Sequence, residues 1–308
     1  MAKILISGGN GMLGRALTAE LLHKGHRVSW LCRNPVQEKN VQVFLWDPSK
    51  KCIDLKAFET LDHLINLSGS NIAEKPWNKK NKEEIYTSRI NSTEFLLETM
   101  QKHNITLKSI CGASAIGYYG NGCEDECCDE TRPAGNDFLA LVCKDWEATY
   151  EKFLLGQTRL VILRIGIVLS KQGGMYAKLR PWMKAGLAAV IGSGKNYISW
   201  IHIQDLVDLF VFAVENSNMK GSYNATASEP LRLSGFTLSM AKSLKRKVLL
   251  PNVPSFFLRL LMGERASLID KGCRVKNDRI RSAGFAFKYP ELSSALHDLA
   301  LQKIQRTS

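Results

Sequence analysis

A short run of glycines near the start of the chain has the spacing of a backbone cradle for phosphate groups. It follows the apolar run at 3–7 and opens an amphipathic helical pattern. Glycines let the backbone turn tightly and approach a pyrophosphate, and the free N–H groups of a helix N-terminus stabilise its charge. The pattern predicts a dinucleotide-binding turn; a tight turn in an unrelated α/β protein is the alternative. The turn residues expected to contact the ligand are Gly8, Gly11, Met12, Leu13 and Gly14.

The end of the second apolar run, at 27–32, indicates which dinucleotide fits. An NAD site needs Asp or Glu about 20 residues past the glycines to bind the ribose 2′-hydroxyl. This chain has Cys32 and then Arg33, which we expect to contact the cofactor, and a guanidinium can bind a 2′-phosphate through paired, charge-assisted hydrogen bonds. The sequence therefore favours NADP(H) over NAD, with Arg15 adding charge nearby. A solvated arginine in a turn before Pro35 is the alternative.

The elements that must position this turn alternate between strand and helix patterns along the first half of the chain. This alternation predicts the α/β class, with a Rossmann-type doubly wound parallel sheet. The strand-like runs lie at 41–45, 63–67, 109–113 and 158–164, and the helical patterns lie near 78–101 and 137–153.

The pattern changes after about residue 170, where glycine pairs and prolines divide the chain into shorter elements. We expect an NADP-binding Rossmann domain at 1–170, to which part of 195–228 returns. The remaining chain, 171–308, is expected to form a smaller C-terminal domain on the substrate side.

Composition favours a cytoplasmic protein: the 308 residues include no apolar stretch near the ~20 that would span a bilayer, and no targeting segment is expected. Its eight cysteines are then expected to be reduced thiols. Three of them cluster, but the cluster has no C-x-x-C pair and no nearby histidine, so we expect no metal site. These three are Cys123, Cys127 and Cys128.

The net charge of +13 is concentrated at the C-terminus, where 221–308 holds 15 Lys and Arg against 6 Asp and Glu. Such a surface attracts polyanions, whether nucleic acid, acidic lipid or a nucleotide-linked substrate. A solvated basic face is the alternative. No nucleic-acid-binding motif accompanies the charge, so a nucleic-acid partner is not expected. The oligomeric state is left open.

Taken together, the motifs resemble the extended short-chain dehydrogenases/reductases, in particular the atypical, epimerase-like group with a small C-terminal domain. The resemblance covers essentially the whole chain. It rests on 8–15, 65–72, Trp77, 88–89, 114–120, 138–147, 163–169, 199–205 and the C-terminal stretch from Pro254 to Pro290.

The resemblance implies further cofactor contacts. The motif that ends the fourth strand, Asn66 to Gly69, would pass along the ribose and pyrophosphate, with contacts from Leu67, Ser68 and Gly69. The next helix would bring polar contacts near the cofactor, and the segment around 168 would reach the nicotinamide. These further residues are Glu84, Arg89 and Val168. The alternative for Glu84 and Arg89 is that they form a pair on the protein surface and do not contact the cofactor.

The family's usual acid/base pair, in Tyr-x-x-x-Lys, has no counterpart in this chain. Ser114 fits the serine that accompanies it. If Glu147 aligns with the glutamate that commonly follows the lysine, then Leu139 and Cys143 occupy the tyrosine and lysine positions. Neither residue can replace the tyrosine and lysine it aligns with. Shifting the alignment by one residue places Ala140 at the tyrosine position and Lys144 at the lysine position. This alignment restores the lysine but still provides no tyrosine.

Other side chains are candidates for the missing proton donor. Tyr119 and Tyr118 are the closest tyrosines to Ser114, and His202 is a further candidate. Adjacent tyrosines beside a glycine and a histidine before a helix also fit packing roles.

We therefore expect an NADP(H)-binding epimerase or oxidoreductase homologue without the usual pair. Its substrate is a small molecule of unknown identity, a nucleotide sugar or a carbonyl compound. A non-catalytic, NADP(H)-responsive binding or regulatory protein is the alternative.

Overall fold

A computed structural model describes residues 1–121, 126–153, 157–227, 230–270 and 272–301 of the chain. The strands are β1 (Lys3–Ser7), β2 (Arg27–Cys32), β3 (Val41–Asp47), β4 (Cys52–Ile53), β5 (His63–Asn66), β6 (Ser109–Ala115), β7 (Arg159–Ile165), β8 (Ile167–Leu169), β9 (Tyr197–Ile198), β10 (Trp200–His202), β11 (Gly221–Ala225) and β12 (Leu231–Arg232). Eight of them form the central sheet, in the order β11-β7-β6-β5-β1-β2-β3-β4, and two small two-stranded sheets pair β8 with β10 and β9 with β12.

Helices connect these strands and cover the sheet. They are α1 (Met12–His23), α2 (Lys79–Thr87), α3 (Ile90–Lys102), α4 (Phe138–Phe153), α5 (Gly174–Lys184), α6 (Ile203–Glu215), α7 (Leu233–Ser243), α8 (Ser255–Met262), α9 (Ser267–Asp270), α10 (Asp278–Ser282) and α11 (Leu292–Leu301).

The prediction of a doubly wound, Rossmann-type parallel sheet is confirmed. Every neighbouring pair in the large sheet is parallel except β3 and β4, an antiparallel edge that the sequence analysis did not predict. Strand order reverses at β1, which pairs with β2 on one side and β5 on the other. Ligands of such sheets bind in the crevice at the carboxyl ends of the strands at this point.

Apolar side chains form one large core around the sheet and a smaller one in the second half of the chain. Ile4, Leu5 and Ile6 of β1 are fully buried, as strands covered on both faces require. The smaller core includes Trp200, Phe236 and Leu296. α6 and β11 belong to the large core although they lie after residue 170. The division of the chain into 1–170 and 171–308 stays a prediction.

The helical pattern expected near 78–101 forms two helices that are interrupted at Ser88 and Arg89. At the interruption, Arg89 Nη1 and Ser88 Oγ both donate to the carbonyl of Ile85, at 3.1 and 3.2 Å. Side-chain donors that compete for helix carbonyls interrupt the regular backbone hydrogen bonds of the helix. The break allows the Arg89 side chain to turn toward the ends of the sheet strands.

The expectation of eight reduced cysteines is wrong for Cys128, which is disulfide-bonded. Cys127 and Cys273 are free thiols, and the Cys273 and Cys128 sulfurs are 3.5 Å apart. Cys123 lies outside the described residues. The part of the chain that the structure describes contains no group of His, Cys, Asp and Glu able to hold a metal ion. Within the same residues, no helix combines the length and apolar character needed to cross a bilayer.

Asn66 joins four elements beneath the carboxyl end of β1. Its side-chain amide donates to Thr93 Oγ1 on α3 at 2.8 Å and to the Tyr150 hydroxyl on α4 at 2.7 Å. Its amide oxygen accepts from Ser7 Oγ on β1 at 2.5 Å. Asn66 is 1% exposed, so each lost bond would leave a buried polar group unsatisfied.

We therefore predict that Asn66→Ala lowers the free energy of unfolding by about 2–4 kcal/mol, because several buried donors and acceptors lose their partner. Urea unfolding followed by circular dichroism measures the change. Asn218→Ala, at an exposed turn, is the matched control and should stay within about 0.5 kcal/mol of the parent. An equal effect of both substitutions would contradict the role of the Asn66 network.

Candidate functional site

The turn between β1 and α1 is built so closely that only glycine fits at two of its positions. Gly8 has φ +74°, and a Cβ there would lie 2.9 Å from the Leu67 carbonyl oxygen. A Cβ on Gly14 would lie 2.5 Å from the Gly9 carbonyl oxygen. α1 begins with no side-chain cap on its free N–H groups. The turn therefore offers uncapped N–H groups at a helix N-terminus, the arrangement that binds phosphate.

A cleft of about 310 Å³ lies against this turn. Ser68 Oγ is buried there and has no hydrogen-bond partner among the described residues. An unpartnered buried hydroxyl beside free helix N–H groups fits a polar ligand such as a dinucleotide. Ten of the residues expected at the site line the cleft: Gly8, Gly11, Met12, Leu13, Gly14, Leu67, Ser68, Gly69, Arg89 and Ser114.

Arg89 brings a positive charge to the cleft without a carboxylate partner in the described part of the chain. Its guanidinium donates to the carbonyls of Ile85 at 3.1 Å and Ser70 at 3.0 Å, and lies 5.4 Å from the centre of the Trp146 ring. Burial lowers the pKa of Arg89. A Cβ on Gly69 would lie 2.9 Å from Arg89 Cζ, so glycine at 69 makes room for the guanidinium. A partly desolvated cation favours an anionic ligand group beside it.

Four of the expected cofactor contacts do not line the cleft. Arg33 is exposed at the end of β2 and makes no hydrogen bond or ion pair with the residues that the structure describes. Cys32 is buried, which raises the pKa of its thiol. Glu84 pairs with Lys75 at 2.8 Å, and this hydrogen bond, with the charge of nearby Arg33, lowers its pKa.

Val168 is the fourth of these residues. It packs against the large core from β8 and lines neither cavity. Its segment nevertheless passes close to the glycine turn, because a Cβ on Gly173 would lie 2.8 Å from Met12 Sδ.

A second, larger cavity of about 630 Å³ adjoins the cleft. Its walls come from the loop after β5, the start of α4, β8 and β9, and the segment from α8 to α9. The lining is mainly apolar, with Trp77, Phe138, Met175 and Leu268 among its side chains. Five residues line both spaces, so the cleft and the cavity share a wall: Ile72, Ala115, Gly117, Leu139 and Ile165.

α4 presents an apolar face to the cleft. Leu139, Val142, Cys143 and Trp146 line it at helical spacing, whereas Lys144 is exposed on another face. Burial, and then the charge of Glu147, raises the pKa of Cys143 to about 12, so its thiol keeps its proton at neutral pH. Of the two registers considered for the acid/base pair, the geometry places Leu139 and Cys143, not Ala140 and Lys144, at the cleft.

Ser114 lies at the cleft, and its hydroxyl group is already hydrogen-bonded to another side chain. Its Oγ donates to Glu147 Oε1 at 2.6 Å, and the Arg164 guanidinium pairs with Glu147 Oε2 at 2.8 Å. All three residues are at least 94% buried. A buried ion pair in which each member is also hydrogen-bonded is the form in which charges are tolerated in a protein interior. In the sequence, Glu147 indicated only an alignment register, and no pattern predicted its pairing with Arg164.

Tyr119 does not reach either cavity. Its hydroxyl donates to Asn224 Oδ1 at 2.6 Å and accepts from Arg164 Nη1 at 3.0 Å. Burial is the main reason that the pKa of Tyr119 is raised to about 12. The Tyr119 hydroxyl is therefore held by Asn224 and Arg164, neither of which lines the cleft or the cavity, and the proton-donor role of Tyr119 stays a prediction.

The other two proton-donor candidates also have structural partners. The Tyr118 ring centre lies 3.6 Å from Arg164 Cζ. His202 Nδ1 accepts from the Gln204 backbone N–H at 3.1 Å, which caps α6, and burial lowers the pKa of His202 to about 4. Neither lines the cleft or the cavity.

The chain matches two family models. One is described as the NAD dependent epimerase/dehydratase family and covers residues 4–226. The other is a domain of unknown function, DUF1731, and covers residues 253–299.

Several proteins are similar to this chain over nearly their whole length. It is 35% identical to "Epimerase family protein MT2273" of Mycobacterium tuberculosis over 299 residues, 96% of each chain. It is 33% identical to "Epimerase family protein YfhF" of Bacillus subtilis over 298 residues, 96% of this chain and 97% of that protein. The crystal structure of the human epimerase family protein SDR39U1 (isoform 2) with NADPH superposes with a TM-score of 0.88 at 28% identity, covering 97% of this chain and 99% of that one.

The buried ion pair generates a prediction about stability. Arg164→Met leaves the Glu147 carboxylate buried without its partner, so we expect a loss of about 3–5 kcal/mol in urea unfolding. Adding Glu147→Leu removes the stranded charge and should recover part of that loss. Lys108→Met, which breaks an exposed pair with Asp62, is the control and should cost under about 1 kcal/mol. If the change in the free energy of unfolding of the double variant equals the sum of the changes in the two single variants, the coupling between Arg164 and Glu147 is contradicted.

Proposed function

The chain belongs to the NAD dependent epimerase/dehydratase family, and on that premise we propose that it binds NADPH in the smaller cleft and uses it to reduce a carbonyl compound held in the larger cavity. The observation that carries the proposal is the shared wall between the two spaces. Ala115, Gly117 and Leu139 line both, so a ligand in the cavity would lie against one in the cleft.

The choice of NADPH rests on charge. Arg33 stands at the end of β2 without a hydrogen bond or ion pair to the described residues, and no Asp or Glu occupies the position that binds a ribose 2′-hydroxyl in NAD sites. The human SDR39U1 structure was solved with NADPH. In the proposed complex, the uncapped start of α1, Ser68 Oγ and Arg89 would hold the polar parts of the cofactor.

The lining of the larger cavity favours a mainly apolar substrate over a nucleotide sugar. A sugar diphosphate carries negative charge that needs cationic groups around it. The cavity wall contains one arginine, Arg259, together with the carboxylates Asp137 and Glu264. Ile116, Ile198 and similar apolar side chains make up most of the remainder. A carbonyl compound with an apolar body suits this wall better.

Bound NADPH supplies hydride, and the reduction is balanced by a proton that reaches the carbonyl oxygen. At the positions of the usual tyrosine and lysine, Leu139 has no proton to give and Cys143 holds its proton to a pKa of about 12. The Ser114 hydroxyl already donates to Glu147. These residues therefore orient the substrate and transfer no proton, and the balancing proton comes from solvent. We expect slow turnover, without the ~10²–10⁴-fold contribution of a positioned acid.

A second candidate function is favoured by the same face of α4. Leu139 and Cys143 leave the cleft without an acid/base pair, so NADPH binding alone could be the function. A ligand that binds only the folded protein stabilises it and can report the cofactor's concentration.

The cofactor choice predicts the effect of Arg33→Asp. Replacing a 2′-phosphate partner with a carboxylate should weaken NADPH binding by about tenfold or more and leave NADH binding unchanged or improved. Isothermal titration of each dinucleotide measures both constants. Arg27→Asp, an equal charge change at the opposite, exposed end of β2, is the control and should change neither constant much. Equal losses for both dinucleotides would contradict the 2′-phosphate assignment.

The reaction is tested by following NADPH oxidation with apolar aldehydes and ketones and, separately, with nucleotide sugars. We expect slow turnover of the apolar carbonyl compounds only. Ser114→Ala should lower it by less than about tenfold, because the hydroxyl proton is already donated to Glu147. NADPH binding without turnover of any carbonyl compound would contradict the reductase and favour the second candidate. Turnover of nucleotide sugars alone would overturn the substrate class.

A further inference from the structure

α8 is an apolar helix without a buried residue. Phe256 is 62% exposed, Leu260 77% and Leu261 79%, and Leu249 before the helix is 78% exposed. A helix of a globular protein normally buries its apolar stripe against the core. Exposed apolar side chains in one contiguous segment mark a surface that another body covers.

A second exposed apolar segment lies beside the first. Trp182, near the end of α5, is 63% exposed and Leu187 is 49% exposed. The chain then continues to Val190, whose carbonyl accepts from the Val253 N–H at 2.8 Å, and Val253 O accepts from Gly192 N at 2.8 Å. These bonds hold the two segments side by side. We call the exposed apolar side chains of 182–187 and 249–261 the apolar face.

The segments of the apolar face carry positive charge, and the first carboxylate after α8 is Glu264, which pairs with Lys82. Residues 242–263 include no Asp or Glu, and neither do residues 172–204. Four exposed cations lie directly before the apolar segment that leads into α8: Lys242, Lys245, Arg246 and Lys247. None of these four forms an ion pair with the described residues.

This charge distinguishes between possible occupants of the face. A second copy in an isologous contact would bring the same cations together, and like charges at an interface are unfavourable. An anionic bilayer instead offers headgroups to the cations and an acyl boundary to the apolar side chains. Trp is enriched at the membrane–water interface, where Trp182 would lie. No helix of the described residues could span the bilayer, so contact would be at the surface.

We propose that the apolar face and the adjoining cations of 242–247 dock the protein on an anionic lipid bilayer. The phenylalanines and leucines enter the headgroup–acyl boundary, and the lysines and Arg246 pair with lipid phosphates or carboxylates. α8 and the turn after it also line the larger cavity, through Arg259 and Gly263, so docking places one wall of that cavity next to the bilayer.

The proposal is tested by co-sedimentation of the full chain with vesicles of neutral phosphatidylcholine alone or containing about 30% phosphatidylserine. Binding should require the anionic lipid, because each cation near such a surface contributes about fivefold in affinity. It should also fall as salt is raised. No binding to either vesicle, or equal binding to both, would overturn the proposal.

Two variant sets separate the parts of the surface. Phe256→Asp with Leu260→Asp should reduce vesicle binding at least about tenfold, whereas Leu238→Asp, at an exposed leucine of α7, should not. Lys245→Glu, Arg246→Glu and Lys247→Glu together should reduce it at least about tenfold, and the same reversal at Lys50, Lys51 and Lys56 should reduce it less.

Circular dichroism and NADPH titration confirm that each variant is folded, and they report on the cofactor site independently of lipid. Unchanged vesicle binding in both the Phe256/Leu260 variant and the Lys245/Arg246/Lys247 variant would overturn the proposal. So would a dimer, seen by sedimentation velocity without lipid, that the Phe256 and Leu260 substitutions abolish, because a second copy would then occupy the face.

Discussion

The Glu147–Arg164 ion pair is the interaction on which the functional end of the sheet depends. It joins α4 to β7, and through Ser114 it reaches β6. Arg164 also donates to the hydroxyl of Tyr119, which in turn donates to Asn224 on β11. Three neighbouring strands and the helix that lines both cavities are therefore fixed relative to one another by a few charged and polar atoms. Because the pair is buried, removing either partner would leave an unpaired charge in the interior and lower the stability of the fold.

This network also explains why so little acid/base chemistry is available at the cleft. The polar groups near Ser114 are used to satisfy one another, and the face that α4 presents to the ligand is apolar from Leu139 to Trp146. An apolar face excludes water and positions a ligand by shape, but it moves no protons. In the function proposed above, these side chains would hold the dinucleotide and the second ligand side by side rather than activate either.

Sequence patterns were enough for the sheet and the glycine turn, because both are local: apolar runs and glycine spacing are encoded in neighbouring residues. They also placed Leu67, Ser68 and Arg89 at the cleft through the family resemblance. They did not predict the break between α2 and α3, which depends on side-chain bonds to the Ile85 carbonyl. They did not identify the ion pair either, since Glu147 and Arg164 meet only when α4 packs on the sheet. Tyr119 was a reasonable candidate by proximity to Ser114, and its partner Asn224 lies 105 residues away.

The wall shared by the two cavities has a thermodynamic consequence. Ile72, Leu139 and Ile165 contact whatever fills either space, so a ligand that shifts one of these side chains changes the room left for the other ligand. Linkage makes such an effect reciprocal: the factor by which the first ligand alters the affinity of the second equals the factor by which the second alters that of the first. The occupancy of each cavity is therefore a function of both concentrations, and the order in which the two ligands arrive leaves the final populations unchanged.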